Sequence, residues 1–240
     1  MKFFLAQLNP IVGDLDGNAK KILNIASKAY SNSADMVLTP ELSLWGYPPK
    51  DLLLKKNLVD KQYSILDKLS LSIKKKYGNL SITIGIAEKI DDSFFPNLYN
   101  SIVLIEGGEW KTIARKIILP TYEVFDEKRY FRSEQRVSVI YKKIKNKTYK
   151  LGITICEDLW VNENIEGRGI HKKNPISDLK SKKVDFLLNL SASPYTFKKS
   201  KLRNKISSFA AKYLQVPLIY INQVGANAVS YTHLTLPTKA

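Results

Sequence analysis

Short apolar runs alternate with stretches of helical period along this chain. Such alternation restricts the fold to sheets with helices packed against them. Lys2–Leu8 reads as a strand, followed by a turn at Gly13-Asp14. Between Asn18 and Tyr30, Ile22, Ile25, Ala26 and Ala29 fall at helical spacing. Asp35–Leu38 reads as a short buried strand ended by Pro40, and Asp51–Tyr77 as a helix with a break near Asn57. Leu80–Ala87, Asn100–Glu106 and Trp110–Arg115 read as strands, the last two joined into a hairpin by Gly107-Gly108. Val137–Lys143 and Thr148–Ile155 pair across Asn146. Val184–Asn189 is apolar enough for a central strand. Leu202, Ile206, Phe209, Ala210 and Tyr213 mark a helix, and Pro217–Ile221 a further strand. No repeat, low-complexity tract or linker interrupts the pattern. The expectation is one α/β domain with mixed strand directions.

Composition removes several function classes. Hydrophobic residues make up 44% of the 240, enough for a sizeable core. No run approaches the ~20 apolar residues of a membrane span. Met1–Asn9 lacks the basic start and cleavage site of a signal peptide. The single cysteine, Cys156, excludes an internal disulfide framework and points to a reducing compartment, here taken as the cytoplasm. One cysteine and two histidines argue against a zinc site. The net charge is +16, from 38 Lys+Arg against 22 Asp+Glu. That balance raises nucleic-acid binding. However, only Arg115, Arg129, Arg132, Arg136, Arg168 and Arg203 supply the planar fork that phosphates and bases favour. The lysines are dispersed, so the reading is a solvated lysine-rich surface with no nucleic-acid or membrane partner.

Three strand ends carry reactive side chains, where open α/β sheets build their sites. They are Thr39-Pro40-Glu41, Arg115-Lys116 before Leu119-Pro120, and Cys156-Glu157-Asp158. A cysteine at a strand-to-helix turn is expected to be exposed at a helix N-terminus, which favours thiolate. His171 lies in a polar loop with no strand to fix it as a base, so a Cys–His pair is weak. Taken singly, Cys156 reads equally as an inert core residue, Glu41 as a helix cap or surface acid, and Lys116 as a surface lysine. Taken together they form an acyl-transfer site. Glu41, expected to be partly buried at the end of an apolar strand capped by Pro40, suits a general base; Cys156 would attack a carbonyl or amide carbon; Lys116 would stabilise the oxyanion.

These three segments, in this order, resemble those of the nitrilase, or carbon–nitrogen hydrolase, superfamily. The likeness runs from Ala6-Gln7-Leu8-Asn9-Pro10 to Asn222-Gln223-Val224-Gly225. More narrowly, five segments are similar to the amino-terminal glutaminase domain of the glutamine-dependent NAD synthetases. They are residues 41–51, 119–131, Cys156–Trp160, Asn189–Pro194 and Asn222–Gly225. The resemblance implies a four-layer α-β-β-α sandwich, paired into homo-oligomers. It implies that Glu41 is the base, Lys116 the oxyanion stabiliser and Cys156 the nucleophile, forming a γ-glutamyl thioester with glutamine. Glu127 would be a secondary carboxylate. Tyr47, Tyr122, Phe125, Glu157, Ser193 and Lys199 match positions lining the glutamine pocket. The glutaminase step needs no cofactor and no metal; ATP and magnesium belong to a synthetase domain that follows in the same chain.

The sequence also departs from that family. It contains no Ser-Gly-Gly-x-Asp-Ser pyrophosphate loop, so the expectation is a glutaminase domain over 1–227 without its synthetase partner. Residues 228–240 match nothing expected of the family and read as foreign read-through, which removes weight from His233. Competing readings are a stand-alone amidase using the same three residues, and a basic nucleic-acid or scaffolding protein in which they are incidental.

Overall fold

A computed structural model describes residues 1–92, 94–121, 125–161 and 173–226. Tyr122, His171 and the 228–240 tail lie outside the described residues. Strand β1 (Phe3–Leu5) runs parallel to β2 (Met36–Leu38), and β2 parallel to β3 (Ser81–Lys89). Strands β4 (Leu98–Glu106) and β5 (Glu109–Arg115) complete the first sheet as antiparallel neighbours, in the order β1-β2-β3-β4-β5. The second sheet is β6-β7-β8-β9, built from Ser138–Ile144, Lys147–Ile155, Phe186–Ser191 and Leu218–Asn222. Its first pair is antiparallel and the others parallel.

Three apolar cores separate four layers. Helices α1 (Leu15–Ser31) and α2 (Lys56–Tyr77) cover one face of the first sheet through Ile22, Ala26, Leu66 and Ile73 against Val37, Ile82, Ile84 and Val103. The other face meets the second sheet, Met36, Leu38, Ile102 and Leu104 packing with Leu151, Ile153, Leu188 and Leu190. Helices α3 (Pro175–Lys180) and α4 (Lys199–Leu214) close the far side through Ile176, Leu179, Ile206 and Ala210. The chain is therefore an α-β-β-α sandwich. Lys142, on β6, reaches between the sheets to Glu106 and Ser81 of the first one. Among the described residues no helix is long and apolar enough to cross a membrane.

Local chemistry explains where elements differ from expectation. The first strand stops at Leu5 rather than Leu8. Its partner β2 ends at Leu38, whose carbonyl takes one more bond from the Ala6 N–H (2.9 Å). The 51–77 helix begins as a 3₁₀ turn, Lys50–Leu54, and breaks at Lys55, whose ψ of 94° is extended. α3 was not expected. Asn174 caps it by accepting from the Ser177 N–H (2.9 Å), with Pro175 in its first turn, both local signals.

Candidate active site

Glu41, Lys116 and Cys156 each follow a strand, β2, β5 and β7, and the sandwich brings their side chains together. The Lys116 ammonium is 1% exposed and lies 2.7 Å from Glu41 Oε1 and 2.7 Å from Glu127 Oε1. Burial opposes the charge on Lys116, but Glu127 and Glu41 outweigh it and hold the ammonium well above the ordinary lysine range. Glu41 is wholly buried. Its Oε1 also accepts from Asn100 Nδ2 (2.7 Å), and its Oε2 from the Ala192 N–H (3.0 Å). Every oxygen of the candidate base is thus oriented. Its approach to the sheet needs a glycine: a Cβ on Gly85 would stand 2.1 Å from the Leu42 nitrogen.

Cys156 departs from expectation. It is 9% exposed, beside Pro120, Trp160 and Pro194, in a 3₁₀ turn (Cys156–Leu159) instead of at a long helix N-terminus. Burial, and then the Glu41 charge, push its thiol upward. That thiol is harder to ionise than a free cysteine. Its φ of 44° is a left-handed conformation that a side chain adopts at a cost of about 1–3 kcal/mol.

Asp158, two residues on, holds the arrangement. Oδ1 accepts from the Ile117 and Ile118 N–H groups (3.0 and 2.8 Å), and Oδ2 from the Ile155 N–H (3.0 Å). One buried carboxylate therefore ties the segment after Lys116 to the residue before Cys156. Burial raises its pKa to about 6 despite those three donors. On the other side, Asn189 donates to the Cys156 carbonyl (3.4 Å) and to Thr154 Oγ1 (3.0 Å).

Tyr47, Phe125, Glu157, Ser193 and Lys199 line the cavity that holds Cys156 and Lys116. The Tyr47 hydroxyl donates to Glu127 Oε1 (2.7 Å), and burial followed by the Glu127 charge drives the phenol well above its ordinary range. Glu127 is itself buried, and burial, opposed by Lys116, lifts it to about 7. The Lys199 ammonium lies 5.7 Å from the centre of the Trp160 ring. A larger pocket of about 500 Å³ sits beside Ile90, Phe95 and Tyr130 and contains no nucleophile. Asp158, Trp160 and Asn189 stood in the quoted segments but received no role from sequence, and Asn100 was not singled out. Polar residues inside apolar strands, Asn100 and Asn189, were the available signal.

A buried thiol and a buried ammonium in one cavity, with two buried carboxylates paired to that ammonium, match the chemistry of amide cleavage. The family model of carbon-nitrogen hydrolases matches residues 5–235. The chain belongs to the carbon-nitrogen hydrolase family. Among curated relatives of this hydrolase, the glutamine-dependent NAD(+) synthetase of Synechocystis sp. is 44% identical over 224 residues, covering 93% of this chain and 39% of that protein. That of Thermotoga maritima is 36% identical over 231 residues, covering 94% and 36%. This hydrolase chain thus spans about two fifths of the length of the relatives it matches. The glutamine-dependent NAD+ synthetase of Acinetobacter baumannii, solved with ADP, superposes with a TM-score of 0.80 at 32% identity, covering 96% of this chain and 39% of that one. An amidase from Nesterenkonia sp. AN1 shares the fold, with a TM-score of 0.74 at 18% identity, covering 97% of this chain and 82% of its own.

Proposed function

We propose that this carbon-nitrogen hydrolase cleaves the side-chain amide of glutamine through a Cys156 thioester. The observation that carries the reading is the Lys116 ammonium, buried 2.7 Å from both Glu41 and Glu127 and lining the cavity of the only cysteine. Glu41 takes the Cys156 proton as sulfur attacks the carboxamide carbon. The oxyanion that forms is stabilised by Lys116, a donor already in place. The proton held by Glu41 passes to the leaving nitrogen, which departs as ammonia. Water then gives Glu41 a proton and attacks the thioester; glutamate leaves, and the proton returns to sulfur. Cys156 is nucleophile, Glu41 base and acid, and Glu127 the second carboxylate that fixes the ammonium.

Tyr47, Tyr122, Phe125, Glu157, Ser193 and Lys199 form the glutamine pocket in this reading. The mix suits an amide carrying both an ammonium and a carboxylate at its far end. The released ammonia would amidate nicotinic acid adenine dinucleotide to NAD, in an ATP- and magnesium-dependent synthetase part of the kind the longer relatives' names imply. The hydrolytic step itself uses no cofactor. Homo-oligomers and a cytoplasmic setting go with the same reading. The test is glutamate release from glutamine by the purified chain beside Cys156→Ala. Release that disappears in the variant supports the reading. Equal release by both sinks it, and hydrolysis of simple amides but not glutamine transfers it to a stand-alone amidase.

A further inference from the structure

Arg203 is a buried cation that the hydrolytic steps do not use. It projects from α4, is 6% exposed, and has no carboxylate in ion-pair distance among the described residues. Burying a guanidinium without a counter-charge is costly, so its contacts matter. Nη2 donates to Ser193 Oγ (3.3 Å), and the guanidinium carbon stands 5.6 Å from the centre of the Tyr220 ring. Nε has no hydrogen-bond partner among the described residues.

A guanidinium only donates. Ser193 Oγ must therefore accept from it, which leaves the hydroxyl proton directed elsewhere. Asn222 fixes the backbone of the same serine: Oδ1 accepts from the Ser193 N–H (2.9 Å), and Nδ2 donates to the Ser193 carbonyl (3.0 Å). Ser193 is thereby held at three of its polar groups, and it lines the Cys156 cavity together with Lys199, the first residue of α4. No described group accepts its hydroxyl proton.

We propose that Arg203 is a positioning residue that makes the Ser193 hydroxyl a donor into the nucleophile cavity and selects amides with a carboxylate at the far end. This rests on the glutamine reading above. Unpaired with any described carboxylate, the guanidinium adds a positive potential behind that donor, so an anionic group gains and a neutral one does not.

The test compares three amides with the parent chain, Arg203→Met, Arg203→Lys, Ser193→Ala and the Arg203→Met/Ser193→Ala double variant. The amides are glutamine, glutaramate (glutamine without its amino group) and butyramide, which lacks the carboxylate as well. Arg203→Met should raise KM for glutamine and glutaramate about tenfold, leaving kcat and all butyramide constants within about threefold. Ser193→Ala, which removes a hydroxyl from the pocket itself, should raise KM for glutamine and glutaramate at least as much, and the double variant should show no loss beyond that of Ser193→Ala, as expected of residues acting through one contact. Arg203→Lys, which keeps charge and donor, should recover most of the affinity. If Arg203→Met does not fold, Ser193→Ala and Arg203→Lys carry the comparison. A KM that rises equally for butyramide, or unchanged KM values throughout, overturns the inference. A parent chain that hydrolyses butyramide but neither carboxylate-bearing amide overturns the glutamine reading and this inference together. Glutamine turnover with an unmoved KM in Arg203→Met overturns this inference alone.

Discussion

Lys116→Met removes a cation that two buried carboxylates share. Each N–O separation is 2.7 Å. At an effective dielectric near 20, each contact represents an attraction of about 6 kcal/mol. Most of that offsets the cost of burying three charges. Removing one partner from such a cluster leaves a net loss of about 3–5 kcal/mol in folding stability. Methionine fills the space, so the loss is electrostatic. Without the ammonium, one carboxylate must take up a proton. Glu127, already raised to about 7 by burial, then rises further. A carboxyl whose folded pKa lies above its unfolded value loses stability as pH rises through the folded value. The deficit of Lys116→Met against the parent should therefore be larger at pH 8 than at pH 6. The oxyanion donor is lost as well, which costs about 10²–10³-fold in kcat. Urea unfolding at the two pH values and steady-state glutamate release measure both effects. A kcat within about threefold of the parent, with an unchanged unfolding midpoint at both pH values, would refute the assignment of Lys116 to this cluster.

Other substitutions probe the frame. Gly85→Ala places a Cβ 2.1 Å from the Leu42 nitrogen and 2.8 Å from the Glu41 carbonyl carbon, where only backbone can yield. It should lower stability by about 2–3 kcal/mol and displace Glu41, so that kcat falls while circular dichroism still shows both helix and sheet. Glu127→Gln should flatten the pH dependence of stability. In the parent, Glu127 rises from 4.5 to about 7 on folding, and stability declines between those pH values. The variant should lack up to about 3 kcal/mol of that decline, read by denaturant titrations from pH 4 to 8. Asp158→Asn turns a side-chain acceptor into a donor facing a backbone N–H. It should cost about 2–3 kcal/mol and reduce kcat, and unaltered kinetics would show that Lys116 and Cys156 are positioned independently of it.

The layered fold and its reactive strand ends were legible because both depend on local pattern. Ile22, Ala26 and Ala29 mark a helix face whatever they pack on, and the runs before Glu41, Lys116 and Cys156 end visibly in Pro40, Leu119-Pro120 and Glu157-Asp158. The burial of Cys156 was not legible. Trp160 is near in sequence, but Pro120, after β5 of the first sheet, and Pro194, after β8 of the second, reach the same cavity only through the tertiary fold. Asp158 was visible as a motif letter, but its three N–H partners lie on two different strand ends. The buried cation at Arg203 is likewise silent in a chain with 38 lysines and arginines, since nothing local separates it from its solvated neighbours.

The origin of the three reactive residues on two sheets has a consequence for synthesis. Glu41 and Lys116 belong to the first sheet, which is complete at Arg115, while Cys156 follows β7 of the second. A growing chain therefore makes Glu41 and Lys116 before its single cysteine. Leu151–Ile155 of β7, which lead into Cys156, pair with β8, whose strand begins at Phe186. A ribosome-bound or proteolysed piece that ends before that point lacks this pairing for the strand that carries Cys156. The architecture makes the candidate site a property of the assembled sandwich, with contributions from both sheets.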